Sequence, residues 1–474
     1  MDQSPPPIQI LEPGQVPDPT LALPPRQPQP WDTVAYIADP DRFCRQNFHR
    51  HGPVFRTSVF GGTTVFVGSA IANQMVFNGD LKYTEIALPT TTMTMFGEHS
   101  LFQRPDLHGS RKTALRPGFT GANLDHYIPR LDTLIGQGLG TWQPGDRVPL
   151  FPAVADLCFD ALVPLLLGID LNDSQGDPWA GLSLSAKPQL CSLYQTFFDG
   201  FYGLVPWNVP WTSYGRGLQA RSQLLEFMAG IVARRRQETQ TTQSLDPRND
   251  FLAMMLAQQQ ADPQGVFSDA LIQNQCLLQL WASHYEISGL VSSWMEQMGR
   301  HPAIVERLLA EQAQVWGSAP DGDPALSPSA LKQLPILEST LKETLRVTPP
   351  SSTATRRLTR DVVVAGLLFK QGWGLVAEPR IAHIMAEHFQ DPDRFDPDRF
   401  LGDRNEGKPY TFIPFGGGVH ACLGAQMALV VAKVFAIHLL RQFTWAGVEP
   451  PRYVQFPLKH LKADYCIQLR SRSR

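Results

Sequence analysis

Residues 415–424 of the chain read Phe-Gly-Gly-Gly-Val-His-Ala-Cys-Leu-Gly, and the apolar segment 423–442 follows directly. Three consecutive glycines allow a sharp turn and a close approach of the backbone to a large flat cofactor. Cys422 is predicted to open a helix, where backbone N–H groups and the helix dipole stabilise a thiolate. Phe415 can cover the sulfur, and His420 can donate a hydrogen bond to an anionic group. From the residues alone, a glycine-rich turn with a buried cysteine remains the alternative.

This stretch resembles the cysteine-ligand loop of cytochromes P450, Phe-x-x-Gly-x-Arg/His-x-Cys-x-Gly, and it fills every fixed position. The resemblance implies that Cys422 ligates the iron of haem b (iron protoporphyrin IX) and that His420 contacts a haem propionate. A thiolate ligand donates electron density to the iron and favours cleavage of the O–O bond. The resemblance extends from about residue 33 to the end. It implies the cytochrome P450 fold, which is mainly α with small β-sheets.

A second motif lies in the predicted helix PILESTLKETLRVTPP, where Glu343 and Arg346 are three residues apart and can pair. Such pairs usually lie on solvated surfaces. Here the sequence Phe-Asp-Pro-Asp-Arg-Phe, which contains Arg399, precedes the cysteine loop. Family members resemble this arrangement in locking a Glu-x-x-Arg pair to such an arginine. The resemblance implies a buried structural network of Glu343, Arg346 and Arg399 that holds the haem loop.

Basic residues at two further places resemble haem-propionate contacts. Family members place His or Trp four residues before Arg; here His108 matches, and Lys112 takes the later position with Arg111 beside it. Either cation can serve, although lysine lacks the bidentate fork of arginine. Arg356 resembles another propionate contact, with Arg357 as the neighbouring alternative. A solvated surface charge is the competing interpretation for each.

The predicted helix 268–299 corresponds to the helix that crosses the haem in the family, and it departs from the family pattern. Where relatives carry Ala-Gly-x-Asp/Glu-Thr, this chain has Ala-Ser-His-Tyr-Glu from Ala282. An ungapped match puts Tyr285 at the acid position and Glu286 at the threonine position. We expect Glu286 to serve in proton delivery and Tyr285 to orient it or a water molecule. Alternatively, Glu286 binds a cationic or hydroxylated substrate, or one turn of the helix is simply polar.

Residues 191–214 are rich in aromatic side chains, including Phe198 and Phe201. Aromatic density often marks a core. In the family, however, the matching segment is a mobile lid over the substrate, and ligand sites are mainly apolar. We therefore expect Phe198, Phe201 and Ala282 to line a substrate pocket.

The rest of the chain is predicted to form one domain. Residues 1–30 hold ten of the 41 prolines and are expected to be extended or disordered, and residues 31–474 to form a single haem-binding domain. Residues 53–69 predict a β-hairpin centred on Gly-Gly, while 361–377 and the tail are strand-like. Helical periodicity marks several segments: 123–142, 150–169, 216–237, 268–299, 302–316 and 423–442.

Composition limits the possible partners and the location. The net charge of −3 gives no support to a nucleic-acid partner. The six cysteines are scattered without a Cys-x-x-Cys pair, which favours a reducing compartment. The most apolar stretch, 150–169, carries two aspartates and is expected to be a core helix. We predict a soluble cytoplasmic protein without a membrane anchor.

The resulting hypothesis is a monooxygenase that inserts one oxygen atom from O2 into a small lipophilic substrate, of terpenoid, retinoid or fatty-acid type. The chain lacks a Gly-x-Gly-x-x-Gly fingerprint, so a ferredoxin and its reductase, or similar donors, must supply electrons. Softer similarity around 108–140 and 194–236 favours the branch that hydroxylates retinoids and sterols. Two alternatives remain: a peroxygenase or isomerase without O2 activation, and a haem- or ligand-binding protein without turnover.

Overall fold

The computed structural model describes residues 8–103, 105–171, 179–203, 205–242, 249–262, 265–317, 325–351 and 354–472. Within these ranges the chain is mainly helical with four small sheets. The helices are α1 (Asp32–Ala38), α2 (Pro40–His51), α3 (Ala70–Asn78), α4 (Thr90–Phe96), α5 (Pro105–Leu115), α6 (Gly121–Leu139), α7 (Leu150–Leu167), α8 (Lys187–Phe201), α9 (Ser213–Thr242), α10 (Phe251–Gln260), α11 (Asp269–Arg300), α12 (Pro302–Trp316), α13 (Pro328–Lys332), α14 (Pro335–Val347), α15 (Pro379–Ala382) and α16 (Ala425–Gln442). The strands are β1 (Gln9–Ile10), β2 (Val54–Thr57), β3 (Thr64–Val67), β4 (Thr84–Ile86), β5 (Arg147–Pro149), β6 (Ala354–Leu358), β7 (Val362–Val364), β8 (Leu367–Phe369), β9 (Gly374–Ala377), β10 (Phe443–Gly447), β11 (Tyr453–Val454), β12 (His460–Leu461) and β13 (Cys466–Ser471).

Helix α11 runs through the centre of the molecule and packs against α7, α9, α14 and α16. The side chain of Ser268 caps it by accepting a hydrogen bond from the backbone N–H of Leu271. Its second half is buried on all sides, and Trp294 is one of the largest fully buried side chains. The predicted helix 268–299 is therefore confirmed as the central element of the core.

Two helices, α7 and α16, are long and apolar enough to cross a membrane by length and composition alone. Of these apolar windows, 78% of the residues in α7 and 61% of those in α16 are buried inside the fold. The interpretation of 150–169 as a core helix is therefore confirmed, because its apolar side chains contact other parts of the protein.

The largest sheet has the strand order β2-β3-β9-β6-β4. The predicted hairpin at 53–69 forms its edge, with Phe55 paired opposite Phe66. Residues 361–377 form β7, β8 and β9, and the tail forms β13, as the strand-like composition predicts. Strand β6 carries Arg356 into the interior of the protein, where it is 6% exposed.

The N-terminal segment lies along the sheets. Residues 1–7 fall outside the described ranges. From residue 8 to residue 30 the chain has no helix, and Gln9–Ile10 pairs with β7. Arg26 forms an ion pair with the buried Asp32, which ties the segment to α1.

A buried charge network joins α14 to the segment before the cysteine loop. The guanidinium of Arg346 binds the carboxylate of Glu343 at 2.7 Å, and Nε of Arg399 lies 3.3 Å from the same carboxylate. All three side chains are almost completely buried. Arg399 also binds Glu406 at 2.9 Å, a partner that the sequence motifs did not reveal.

Both arginines also bind backbone carbonyl groups. Arg346 donates to the carbonyl groups of His383, Pro392 and Arg394, and Arg399 donates to those of Asp391 and Arg394. The network therefore determines the path of residues 383–399 against α14, and residues 400–414 connect this path to the cysteine loop.

We predict that Glu343→Ala lowers the free energy of unfolding by about 3–5 kcal/mol, because it leaves two buried guanidinium groups without their shared carboxylate. Most of the protein should be haem-free or insoluble. Lys342→Ala on the same helix is a matched control, since its partly exposed ion pair with Glu338 contributes at most about 1 kcal/mol. Denaturant titration and haem content measure both effects, and normal haem content in Glu343→Ala would contradict the prediction.

Candidate active site

The glycines of the cysteine loop are required by its backbone geometry. Gly416 and Gly418 have φ angles of 67° and 62°, a left-handed conformation that favours glycine. A Cβ atom on Gly417 would come within 2.8 Å of the ring of Phe77 in α3. The N–H of Cys422 donates to the carbonyl of Phe415 at 2.9 Å and closes the loop.

Cys422 presents its thiol to an open space, because the residue is exposed although it lies within the fold. Surrounding protein raises the pKa of the thiol, while the backbone N–H of Gly424 and the charge of Lys112 lower it. Helix α16 begins at Ala425, so Cys422 precedes the helix and does not open it as expected. Burial has the largest effect, so the pKa of the thiol is raised overall, and the N–H of Gly424 rather than a first helical turn acts to lower it.

Helix α5 brings two of the predicted basic residues to this loop. Nζ of Lys112 donates to the carbonyl groups of Val419 and Ala421, both at 2.6 Å, and Nε2 of His108 lies 3.1 Å from the carbonyl of Val419. Arg111 instead donates to the carbonyl groups of Glu98 and Ser100. Of the two alternative cations, Lys112 is therefore the one that contacts the loop.

His420, His108 and Arg356 form a second polar cluster. The rings of His108 and His420 are 4.0 Å apart, and Nε2 of His420 lies 3.0 Å from the carboxylate of Asp80. Burial and the nearby Arg356 and His108 lower the pKa of His420 to about 4. Asp80 was missed by sequence reasoning, since no motif surrounds it. Arg357, the alternative to Arg356, points outward with 58% of its side chain exposed.

On α11, Ala282 and Glu286 occupy the site side of the helix. Ala282 is exposed although it lies midway along a central helix, so it faces an open space. Oε2 of Glu286 is buried and has no hydrogen-bond partner within the described residues. Burial raises the pKa of Glu286 to about 8, and its charge would raise the pKa of Cys422. The carboxyl group therefore lies near the cysteine and is neutral at neutral pH.

Tyr285 points in a different direction from Glu286. Its hydroxyl donates to the side chain of Gln195 on α8, and its ring lies 4.6 Å from that of Phe198. The structure thus gives Tyr285 a contact with α8 in place of the expected one with Glu286. The reason is helical geometry, because successive residues point about 100° apart around the axis.

The aromatic segment packs over this part of α11. Phe201 is buried and stacks on Trp281 with ring centres 4.5 Å apart, and it also contacts Phe96. Phe198 is only half-buried and spans Tyr202 and Tyr285. Phe201 is therefore part of the core, whereas Phe198 lies at its margin. Leu204, within the same segment, lies outside the described residues.

Comparison with known proteins identifies the family. The family model for cytochrome P450 matches residues 24–466, which is most of the chain. The chain belongs to the cytochrome P450 family. Accordingly, its cofactor is haem b, and it is an oxidoreductase of the monooxygenase class.

Several relatives match this P450 along most of their length. Cytochrome P450 120 of Synechocystis is 29% identical, over 88% of this chain and 89% of the relative. Taxane 10-beta-hydroxylase of Taxus cuspidata is 27% identical, over 92% and 85%. The structure of a retinoic-acid-bound cyanobacterial CYP120A1 superposes with a TM-score of 0.82 at 28% identity, and covers 96% of this chain and 100% of the other.

The residues of this P450 fit haem b. Haem b needs an accessible thiolate to bind its iron and cationic side chains to pair with its two propionates. The exposed thiol of Cys422 meets the first need. Nε of Arg356 is buried without a hydrogen-bond partner among the described residues, and the ammonium of Lys112 lies beside the loop. The unpaired guanidinium N–H suits an anionic ligand, because buried polar groups are normally paired.

We predict that Arg356→Ala weakens haem binding by about 10- to 100-fold, the loss of one charge-assisted hydrogen bond. The haem-free variant should be at least as stable as the parent, because a buried guanidinium with an unpaired Nε is removed. Arg357→Ala is the matched control, and its haem content should not change. Haem titration and thermal unfolding measure the two quantities, and equal haem affinity in both variants would contradict the assignment.

Proposed function

We propose that this P450 inserts one oxygen atom from O2 into a small lipophilic substrate, with Cys422 as the axial ligand of the haem iron. The observation that carries the proposal is the accessible thiol of Cys422, held by a glycine loop and facing the buried acid of α11. The bound haem would supply the activation of O2. Residues 31–474 serve as one haem-binding domain, in keeping with a core cluster that extends from Met95 to Leu469.

The substrate class we propose is terpenoid, retinoid or fatty-acid-like. The half-buried Phe198 contacts Trp281, which stacks on the core residue Phe201, so this part of the site is apolar. Two relatives support this choice by their names: one hydroxylates taxanes, and the cyanobacterial structure binds retinoic acid. Ala282, an exposed residue of α11, would leave room for a substrate because its side chain is small.

Electrons are proposed to come from a ferredoxin and its reductase, or similar donors, in the cytoplasm. The sequence contains no nucleotide-binding fingerprint of its own. The six cysteines are free, in keeping with a reducing compartment. His108, Lys112, Arg356 and His420 would hold the propionates and thereby orient the haem.

Glu286 is proposed to deliver protons on the substrate side. Its carboxyl group is protonated at neutral pH, because burial raises its pKa to about 8. An acid whose pKa is near the working pH can both donate a proton and regain it. We assign Tyr285 to packing against α8, because its hydroxyl donates a hydrogen bond to the side chain of Gln195.

The second candidate function is a peroxygenase or isomerase that does not activate O2. Glu286 favours it, because the carboxylic acid stands at the position where relatives carry threonine. Turnover driven by hydrogen peroxide alone, without electron donors, would support this alternative.

We predict that Cys422→His abolishes the red-shifted carbon-monoxide band of the reduced protein, because that band requires a thiolate ligand. Cys466→Ser serves as the control, since that cysteine lies on β13. It should retain the band in full. A preserved band in Cys422→His would overturn the ligand assignment.

We predict that Glu286→Gln keeps ligand-induced spectral shifts but slows product formation by about 10²-fold, the usual contribution of a positioned acid. Release of hydrogen peroxide per electron pair should rise. The assay uses retinoic acid, or the lipophilic ligand with the largest spectral shift, together with ferredoxin and its reductase. Tyr285→Phe is the comparison, because it removes a hydroxyl that points to α8.

Loss of ligand binding in Glu286→Gln with unchanged peroxide release would instead make Glu286 a binding residue. If neither quantity changes, the proton role is wrong. A loss in Tyr285→Phe equal to that in Glu286→Gln would show that protons pass through Tyr285.

A further inference from the structure

The connection between α8 and α9 presents two tryptophans at the surface. Trp207 and Trp211 are 64% and 74% exposed, and together with the exposed Val205 they line a groove of about 520 Å³. We call residues 205–212 the tryptophan loop. The stretch 200–215, which contains this loop, has no aspartate, glutamate, lysine, arginine or histidine. Large exposed apolar groups of this kind mark surfaces that bind something other than water.

The tryptophan loop is held in shape by its own hydrogen bonds. The hydroxyl of Thr212 donates to the carbonyl of Trp207 at 2.6 Å and accepts from the N–H of Gly215 at 2.9 Å. Gly215 packs directly on the loop, because a Cβ atom there would collide with the carbonyl oxygen of Val209. The backbone of the loop therefore keeps both indole rings at the surface.

A second group of exposed apolar side chains lies near the tryptophan loop. It comes from the start of α1 and from the turn between β2 and β3, and it consists of Trp31, Val34 and Phe60. A row of contacting aromatic rings joins this group to the groove: Tyr202, Phe456, Tyr36 and Phe60, with successive ring centres 5.9, 6.4 and 5.8 Å apart. The two exposed groups therefore occupy neighbouring parts of the surface.

We propose that these two apolar groups dock reversibly onto the surface of a lipid bilayer. Tryptophan is enriched where hydrocarbon meets lipid headgroups, because its ring is apolar and its N–H is polar. The exposed side chains belong to a loop, a hairpin turn and the start of a helix, and such separate tips enter a fluid surface without needing a matching shape. Surface docking of this kind inserts apolar groups about 5–10 Å deep and requires no spanning helix. It is independent of the reaction proposed above, and it would place the enzyme where lipophilic compounds accumulate.

Arg216, at the edge of the tryptophan loop, favours an anionic lipid surface as the occupant. The residue is exposed, and its guanidinium reaches back to the carbonyl of Pro210 and the hydroxyl of Ser213, both at 3.5 Å. A cation beside an apolar surface suits the phosphate of a lipid headgroup. A second copy of the chain fits less well. In a two-fold dimer the same patch supplies both sides, and the tryptophan loop has no acidic residue to pair with Arg216.

The test measures cosedimentation of the haem-loaded full chain with phosphatidylcholine vesicles and with vesicles that also contain phosphatidylglycerol. The parent should bind both, and the anionic vesicles about 5-fold more tightly at low salt, the effect of one cation at the surface. Changing Trp207→Ser and Trp211→Ser together should weaken binding to both at least about 10-fold, because large apolar side chains are no longer removed from water. Trp211→Ser alone should show a smaller loss.

Two further variants make the test specific. Arg216→Gln should keep binding to phosphatidylcholine and lose the preference for anionic vesicles. Val448→Ser is the matched control, because it replaces an exposed apolar residue that follows β10, in a different part of the fold. Its binding should equal that of the parent. All variants should retain the carbon-monoxide band of the reduced protein, because the changed side chains are exposed.

Three outcomes would overturn the proposal. The first is a parent protein that sediments with neither kind of vesicle, and the second is unchanged binding when both tryptophans are replaced. The third is a lipid-free dimer, seen by analytical ultracentrifugation, that the same double replacement dissociates, because the surface would then be covered by a second copy. A preference for anionic vesicles that survives Arg216→Gln would reject the headgroup contact. Since vesicle binding requires no turnover, none of these outcomes bears on the proposed reaction.

Discussion

The carboxylate of Glu343, held between two buried arginines, is the interaction on which the architecture of the site depends. Charges removed from water are tolerated only when each is paired and its remaining hydrogen bonds are satisfied. Here Arg346 and Arg399 also donate hydrogen bonds to backbone carbonyl groups of residues 383–394. Those carbonyl groups belong to an irregular segment. The two arginines therefore supply hydrogen bonds that the backbone of a helix or sheet would otherwise provide. The chain continues from this segment through Arg399 to the cysteine loop at residues 415–424, so the charges fix the segment that leads to the loop.

Some polar groups around the loop have hydrogen-bond partners among the described residues, and others do not. His108 and Lys112 bind the carbonyl groups of residues 419–421 and hold the loop against α5. Nε of Arg356 is buried without a hydrogen-bond partner in the part of the chain that the structure describes. His108 and Lys112 therefore stabilise the loop directly, while the guanidinium of Arg356 leaves capacity for a propionate of haem. Asp80 moderates the positive charge of this region through its contact with His420.

The opposite side of the site is shaped by one turn of α11. Glu286 and Tyr285 are adjacent in sequence but serve different neighbours, since one faces the cysteine and the other contacts α8. A neutral carboxylic acid among aromatic rings resembles the proton-handling groups of other enzymes, where burial adjusts an acid to the working pH.

The sequence alone determined the family, the cysteine loop, the Glu343, Arg346 and Arg399 set and most of the helices. These features are local: glycines with a required φ angle, residues three apart on a helix, and apolar periodicity can each be recognised without knowledge of the rest of the chain. Tertiary structure showed that Lys112 rather than Arg111 binds carbonyl groups of the cysteine loop, and that Arg356 is buried whereas Arg357 is exposed. Adjacent side chains of similar type differ here only in the direction they face. It also revealed Asp80, whose partner His420 lies 340 residues away in the sequence, and Glu406, which binds the buried Arg399. Burial and direction are properties of the packed chain, and no local pattern encodes them.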